Sequence, residues 1–339
     1  MKYVSGEIYF VRERTNGNFS PFVKIGLVHG VRDSLERLKE HQTGNPRPLF
    51  IDETQVVKTE AVDLVEAQMH KYFAPRRVYG EWFEFPKDEE LAQAVSKAQE
   101  ISREVSSMMP VFQAAEELSR KPSIEGKVSA TQESLDLSKA IAQAGGKVSV
   151  CKDLEKDIKS KLVQAMEADE GNVKDTVEMM TKTYKAKFNE KDFKKEHAEL
   201  YAKYVEMVKK WKKSDFKMAA KPLVRDELDQ DFLGQIAEIE SMIDSVDSFE
   251  HAYRLIEPQL LVTKLKARSE WELETSKAKL KVLCGEASGI EGVCTWIRKF
   301  EEQPVFNEPL FVEENPDLYL DYLTDPKTGV YLRVVKRKA

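Results

Sequence analysis

Before residue 90 the chain carries five side chains suited to chemistry on a phosphate ester: Tyr9, Lys24, Arg37, Glu66 and His70. A carboxylate and an imidazole at i and i+4, as at Glu66 and His70, can share one metal ion. Asp63 extends the same helical stripe. A guanidinium such as that of Arg37 can brace charge on a phosphate with its planar fork of donors. A cation such as Lys24 can lower the pKa of a nearby phenol or of an attacking water. Phosphodiester hydrolysis needs an activated water, charge neutralisation and help for the leaving group. One Mg²⁺ (or Mn²⁺) on a carboxylate supplies the last two. Each residue also has an ordinary reading. Tyrosine is a good strand former, and a strand lysine is usually solvated. Arg37 has an i,i+3 partner in Glu40, and Glu66 with His70 could be a simple helical pair.

The elements that must position these groups follow from periodicity. Residues 7–12 and 22–28 alternate as strands. Ile8 and Phe10 point one way, and Glu7, Tyr9 and Val11 the other. Val23, Ile25 and Leu27 share a face, with Phe22, Lys24 and Gly26 opposite. The connection RERTNGNFSP contains Asn-Gly and predicts a hairpin, across which Tyr9 and Lys24 can converge. DSLERLKEHQ reads as a helix with a capping box at Asp33 and Glu36, stopped by TGNPRP. Residues 49–57 predict a third strand. Thr59 is expected to cap the helix EAVDLVEAQMHKYF, whose apolar stripe is Val62, Val65, Met69 and Phe73. GEWFEFP predicts a short closing strand.

The segments EIYFV (7–11), VKIGL (23–27), ERLKEHQTGNP (36–46), VEAQMHKYF (65–73) and GEWFEF (80–85) resemble, in order and spacing, the GIY-YIG nuclease superfamily. The nearest likeness is a branch named after a phage open reading frame, with a KIG-type second motif and a terminal GEWF. The resemblance implies a small three-stranded domain, DNA as substrate and a divalent metal. It implies Tyr9 as general base or water-positioning group, Arg37 as the arginine of the first helix, Glu66 as the metal carboxylate, and His70 as a histidine of this branch. Lys24 stands where many members have the tyrosine of YIG, and as a cation it is read as an electrostatic helper, with Arg37 as charge stabiliser. The first motif reads EIY and the second KIG, and no late asparagine matches. The same fold without turnover, as a DNA-binding or scaffolding protein, is the alternative.

The chain has 339 residues, 41% hydrophobic and 33% charged, with a net charge of −6. That suits several packed domains and excludes a histone-like basic coat. Arg47, Arg76 and Arg77 flank the loops of the first domain and could contact phosphate. His29 and His41 read as surface residues. Three cysteines without CxxC spacing, no signal segment and no long apolar run predict a cytoplasmic protein outside the membrane.

The expected organisation is α+β: a nuclease-like domain at 1–90, a helical connector and linker at 91–149, a repeat module at 150–219, a second connector at 220–272 and a second module copy at 273–339. The helices of 88–120 and 232–283 offer faces for self-association. The copies match at Phe188/Phe306, Asn189/Asn307, Glu190/Glu308, Phe193/Phe311, Glu196/Glu314, Leu200/Leu318, Tyr201/Tyr319 and Tyr204/Tyr322. They also loosely resemble the tail of YqaJ-type phage recombination exonucleases, without that family's catalytic core. The C-terminal Arg333, Lys336 and Arg337 are candidate phosphate contacts.

Overall fold

A computed structural model describes residues 3–334 apart from 31, 44, 169–171, 174–176, 247–248 and 327. Lys336 and Arg337 lie outside the described residues.

Asn16 and Gly17 form the two-residue turn of the hairpin, both left-handed, at φ 51° and 84°. That conformation matches the twist of the strands it joins. β1 (Gly6–Thr15) and β2 (Asn18–His29) therefore run well past the expected strand ends, and most of the expected connection is itself strand. The stretch expected as one strand at 49–57 is divided. β3 (Leu49–Phe50) and β4 (Val56–Thr59) flank a 3-10 turn in which the Asp52 carboxylate accepts from Thr54 N at 2.9 Å. Thr59 consequently belongs to β4, where it pairs with Gly6, and does not cap the next helix. Helix α1 spans Ser34–Thr43 and α2 Val62–Tyr72. β5 (Arg77–Tyr79) and β6 (Trp82–Glu84) close the sheet. The strand order is β3-β1-β2-β6-β5, with β4 also on β1, so the short segments extend the sheet around the expected core.

Strand alternation splits the sheet into two apolar layers. Ile8, Phe10, Val23, Ile25 and Phe83 pack on Val62, Val65 and Met69 of α2 and on Leu91 and Ala98 of α3 (Asp88–Ser119). The opposite face carries Tyr9, Val11, Val28 and Leu49 beneath Leu38 of α1. The first core continues along α3 to Trp271, whose indole nitrogen donates to Glu104 at 2.5 Å.

The expected linker is docked. Ile124 N donates to Glu286 O at 2.7 Å, and Ser288 N to Gly126 O at 2.9 Å. Helix α4 runs Gln132–Ala168, crossing the expected boundary at 150. After it come β7 (Asn172–Val173), β8 (Val177–Thr183), α5 (Glu190–Glu196), α6 (Ala198–Lys203) and β9 (Val205–Met218). The helical run expected over 232–283 consists of α7 (Gln230–Asp244) and α8 (Ile256–Cys284). Pro258 sits in the first turn of α8. Its missing N–H is tolerated there and would break a continuous helix. β10 (Gly289–Ile290), β11 (Cys294–Phe306), α9 (Glu308–Glu314), α10 (Pro316–Asp321) and β12 (Thr328–Val334) complete the chain, which is α+β throughout.

The matched aromatic and acidic residues meet reciprocally. Tyr204 donates to Glu314 at 2.7 Å and Tyr322 to Glu196 at 2.5 Å. Tyr201 donates to Glu190 at 2.6 Å and Tyr319 to Glu308 at 2.8 Å. Asn307 N donates to Tyr204 O at 2.7 Å, and Asn189 N to Tyr322 O at 2.8 Å. Strands are exchanged too: β9 pairs with β11, and β8 with β12. Each segment completes the other, with approximate two-fold symmetry. Phe193 and Phe311 are fully buried at the centre, ring centroids 4.7 Å apart. Phe311→Ala is therefore expected to cost about 3–5 kcal/mol. Denaturant unfolding measures this, and an unchanged midpoint would show that these segments do not share a core.

Candidate active site

Tyr9 lies opposite Gly26 across the hairpin. The missing side chain of Gly26 lets the phenol lie over β2: a Cβ there would stand 2.6 Å from Tyr9 Oη. Gly26→Ala is expected to displace Tyr9, destabilise the domain by about 1–3 kcal/mol and abolish whatever activity depends on the phenol. Thermal melting and an activity assay on the same sample check this; unchanged values in both would contradict the close approach.

The last turn of α1 meets the phenol. Tyr9 Oη lies 3.0 Å from His41 Nε2. Arg37, one turn earlier on the same face, acts electrostatically on the same phenol. The helix presenting both is anchored at two ends. At its start, Asp33 accepts from Glu36 N at 2.7 Å, and the Glu7 carboxylate accepts from Ser34 N at 3.0 Å. Acids there suit the unpaired N–H groups and the positive end of the helix dipole. The glutamate of EIY thus positions α1. At its end, Gln42 accepts from Leu49 N at 2.8 Å and donates to Asn45 O at 2.9 Å.

α2 supplies Glu66, one turn before His70. Its carboxylate is felt by Tyr9 and in turn feels Lys24, Glu81 and Asp63. Glu81, in the turn before β6, pairs with Lys24 at 3.1 Å, and its carbonyl accepts from Ile25 N at 3.0 Å.

Burial raises the Glu66 carboxyl to about 7, with the charges of Glu81 and Asp63 adding to it. Burial also raises the Tyr9 phenol, and Arg37 partly offsets that. Lys24 pairs with Glu81, and Arg37 is the cation that acts on the Tyr9 phenol. Burial, then Lys24 and Arg37, push His41 below the usual imidazole range and keep it neutral at pH 7. A neutral His41 can accept the Tyr9 proton.

Among the described residues no group of three or more His, Cys, Asp and Glu side chains is placed to hold a metal ion. A single buried carboxylate beside further negative charge still fits a divalent cation. Such an ion would relieve the energy that holds Glu66 protonated, and Mg²⁺ commonly fills its remaining positions with water and substrate oxygens.

The other expected residues lie elsewhere. His70 Nε2 donates to Ile25 O at 2.9 Å and stands 3.9 Å from Glu66, so it braces β2 with that nitrogen. Arg37 also makes the expected ion pair with Glu40. Arg47 bridges to Glu13 at 3.0 Å with its side chain half exposed. Arg76 pairs with Glu90 and lies over Phe85. Arg77 donates to His70 O at 3.0 Å and lies over the Phe83 ring. The last two guanidiniums are occupied within the fold. Arg333 lies in β12 opposite Glu178. His29 pairs with Asp63 at 2.8 Å near the surface. His41, which reads as a surface residue in the sequence, is half-buried against Tyr9, and Glu81 joins the cluster without a sequence signal. The i,i+4 spacing of Arg37 and His41, which puts them on one helical face, was the signal for the first.

Residues 6–105 match the T5orf172 domain model. This is a phage-associated domain found in nuclease settings. The T5orf172 match takes in the sheet, α1, α2 and the first half of α3, and so every residue of the cluster around Tyr9. No curated protein and no solved structure matches the chain. No described helix is long and apolar enough to cross a membrane.

Proposed function

We propose that this chain is a metal-dependent DNA endonuclease of GIY-YIG type, acting through its T5orf172 segment. One observation carries the reading: His41, Arg37 and Glu66 act on the Tyr9 phenol, these four groups come from three separate elements, and the phenol lies over the bare backbone of Gly26. In the reaction, a water gives a proton to the Tyr9 oxygen as the Tyr9 proton passes to His41 Nε2. The hydroxide so formed attacks phosphorus, and the P–O bond to the leaving strand end breaks. Arg37 braces the charge that develops on the phosphoryl oxygens. A Mg²⁺ or Mn²⁺ ion held by Glu66 would polarise the phosphate and stabilise the leaving oxygen. Lys24 holds Glu81 in place and keeps His41 neutral. Arg47, half exposed, is the loop arginine best able to turn towards a DNA phosphate. The C-terminal half serves DNA binding or self-assembly, and the cytoplasm is the compartment this activity requires.

A second reading, DNA binding without turnover, draws on the burial of Tyr9, which is only 1% exposed. Incubation of the purified protein with supercoiled plasmid and Mg²⁺ separates the two. Open-circular or linear product, absent with chelator, supports the nuclease. Retention of intact plasmid under every divalent ion supports the second.

A further inference from the structure

Cys284 is the last residue of α8 and Cys294 the first of β11. Their sulfurs lie 3.6 Å apart, and both side chains are buried. The pair therefore closes the turn of 285–293, with the short strand β10 inside it. A disulfide needs its sulfurs about 2.05 Å apart, so two thiols already in contact have a short gap to close.

The surroundings favour the ionised, reactive form of a thiol. Arg298 is only 1% exposed and makes no ion pair among the described residues. Its guanidinium donates to the carbonyls of Leu118, Gly285 and Ala287 at 2.8, 2.9 and 3.1 Å. A buried charge normally has a counter-charge. The charge of Arg298 acts on Cys284, and Lys281 adds to it. Cys294 is the sulfur that ionises first, because the Cys284 thiol donates to it, with help from Ile290 N and the charge of Lys127. Nearby cations are what separate an oxidisable thiol from an inert buried one. Cys151 is the contrast: it sits in a different core, and burial pushes its thiol up to about 12.

The same turn carries the segment that follows α3. Ser123 N donates to Arg298 O at 2.8 Å, Ile124 N to Glu286 O at 2.7 Å and Val128 N to Gly289 O at 3.1 Å. The connection from α3, which shares the core of the T5orf172 segment, to α4 is thus docked on the turn that the two cysteines bound.

We propose that Cys284 and Cys294 form a reversible redox site, closed to a disulfide by hydrogen peroxide and reopened by thiols, and that closure pins the turn on which residues 123–128 dock. Both sulfurs are buried, which suits an oxidant as small as a peroxide. The Cys294 thiolate attacks one peroxide oxygen. The S–O bond forms, the O–O bond breaks, and the departing hydroxide takes a proton from solvent to become water. Cys284 then gives up its proton as its sulfur attacks Cys294 Sγ. The S–S bond forms, the S–O bond breaks, and the second hydroxide leaves with that proton as water. The sulfurs together lose the two electrons that the peroxide gains. Two successive thiol exchanges reverse the step. In a reducing compartment such a bond is transient. None of this depends on the nuclease reading.

The full chain, reduced and then freed of reductant, is treated with hydrogen peroxide, denatured, alkylated and mapped by peptide mass spectrometry. Its three thiols are expected to become one, that of Cys151. A linked peptide should join Cys284 to Cys294, lighter by the two thiol hydrogens, and dithiothreitol should restore all three thiols. Trypsin should cut the oxidised native chain after the exposed Lys127 about tenfold or more slowly than the reduced one. Survival of all three thiols, a bond that includes Cys151, or sulfinic acid at either residue in place of the linked peptide would overturn the site. Equal cutting after Lys127 in the two forms would overturn the pinning.

Discussion

Arg37→Ala and Glu66→Gln are each expected to lower plasmid cleavage by about a hundredfold or more. On the proposed mechanism Arg37 presents its fork where charge develops, and two neighbouring cations are already engaged: Lys24 is paired with Glu81, and Arg77 donates to His70 O. Glu66→Gln keeps the shape and removes the charge that would hold the ion. Tyr9→Phe and His41→Gln break the proton path between them, and loss of a positioned base typically costs about 10²–10⁴-fold. Arg47→Ala is a contrast, expected to weaken DNA binding and leave the rate at saturating DNA unchanged. Single-turnover assays distinguish these cases. Full activity in Arg37→Ala would reduce that residue to its ion pair with Glu40.

Glu66→Gln should also stabilise the protein at neutral pH while inactivating it. The Glu66 carboxyl titrates near 7 in the fold, chiefly through burial, against about 4.5 when exposed. Between those values the folded state binds more protons than the unfolded state, so stability falls as pH rises from 4.5 to 7. Glutamine has no such penalty. With its side chain 20% exposed, Glu66 is expected to cost roughly 1–3 kcal/mol above pH 7 and nothing below about pH 4. Melting of wild type and Glu66→Gln at both ends of that range measures the difference. Equal stabilities at pH 8 would show a solvated carboxylate. The same shift makes the ion compete with a proton. Mg²⁺ affinity should therefore improve about tenfold per pH unit up to about 7 and then level off.

The hairpin, α1, α2 and α3 were legible because each has a local cause: an Asn-Gly turn, an Asp33 cap and uninterrupted apolar stripes. Tyr9 and Lys24 could be placed on one face by alternation alone. What alternation could not supply was depth. Tyr9 is roofed by α1, so its partner is His41; the i,i+4 spacing puts His41 on the face of Arg37 but does not say that this face folds over a strand. Glu81 was hidden for a similar reason, because its position depends on the turn that lays GEWF along β2. Pro258 marks the first turn of α8, a place where a proline fits, while the apolar residues before and after the gap between α7 and α8 share one periodicity. Among the aromatic matches, residue identity showed that Tyr204 and Tyr322 correspond. Only the fold shows that each bonds the other segment's glutamate.

A double-mutant cycle in single-turnover cleavage tests most directly whether the groups from β1 and α2 act on one phosphate. Wild type, Tyr9→Phe, Glu66→Gln and the double variant are compared at saturating Mg²⁺ and DNA. Groups that work as a unit are non-additive. The double variant should be no more than a few-fold slower than the slower single variant. Losses that multiply, or a Glu66→Gln protein that cleaves at the wild-type rate, would contradict a shared site.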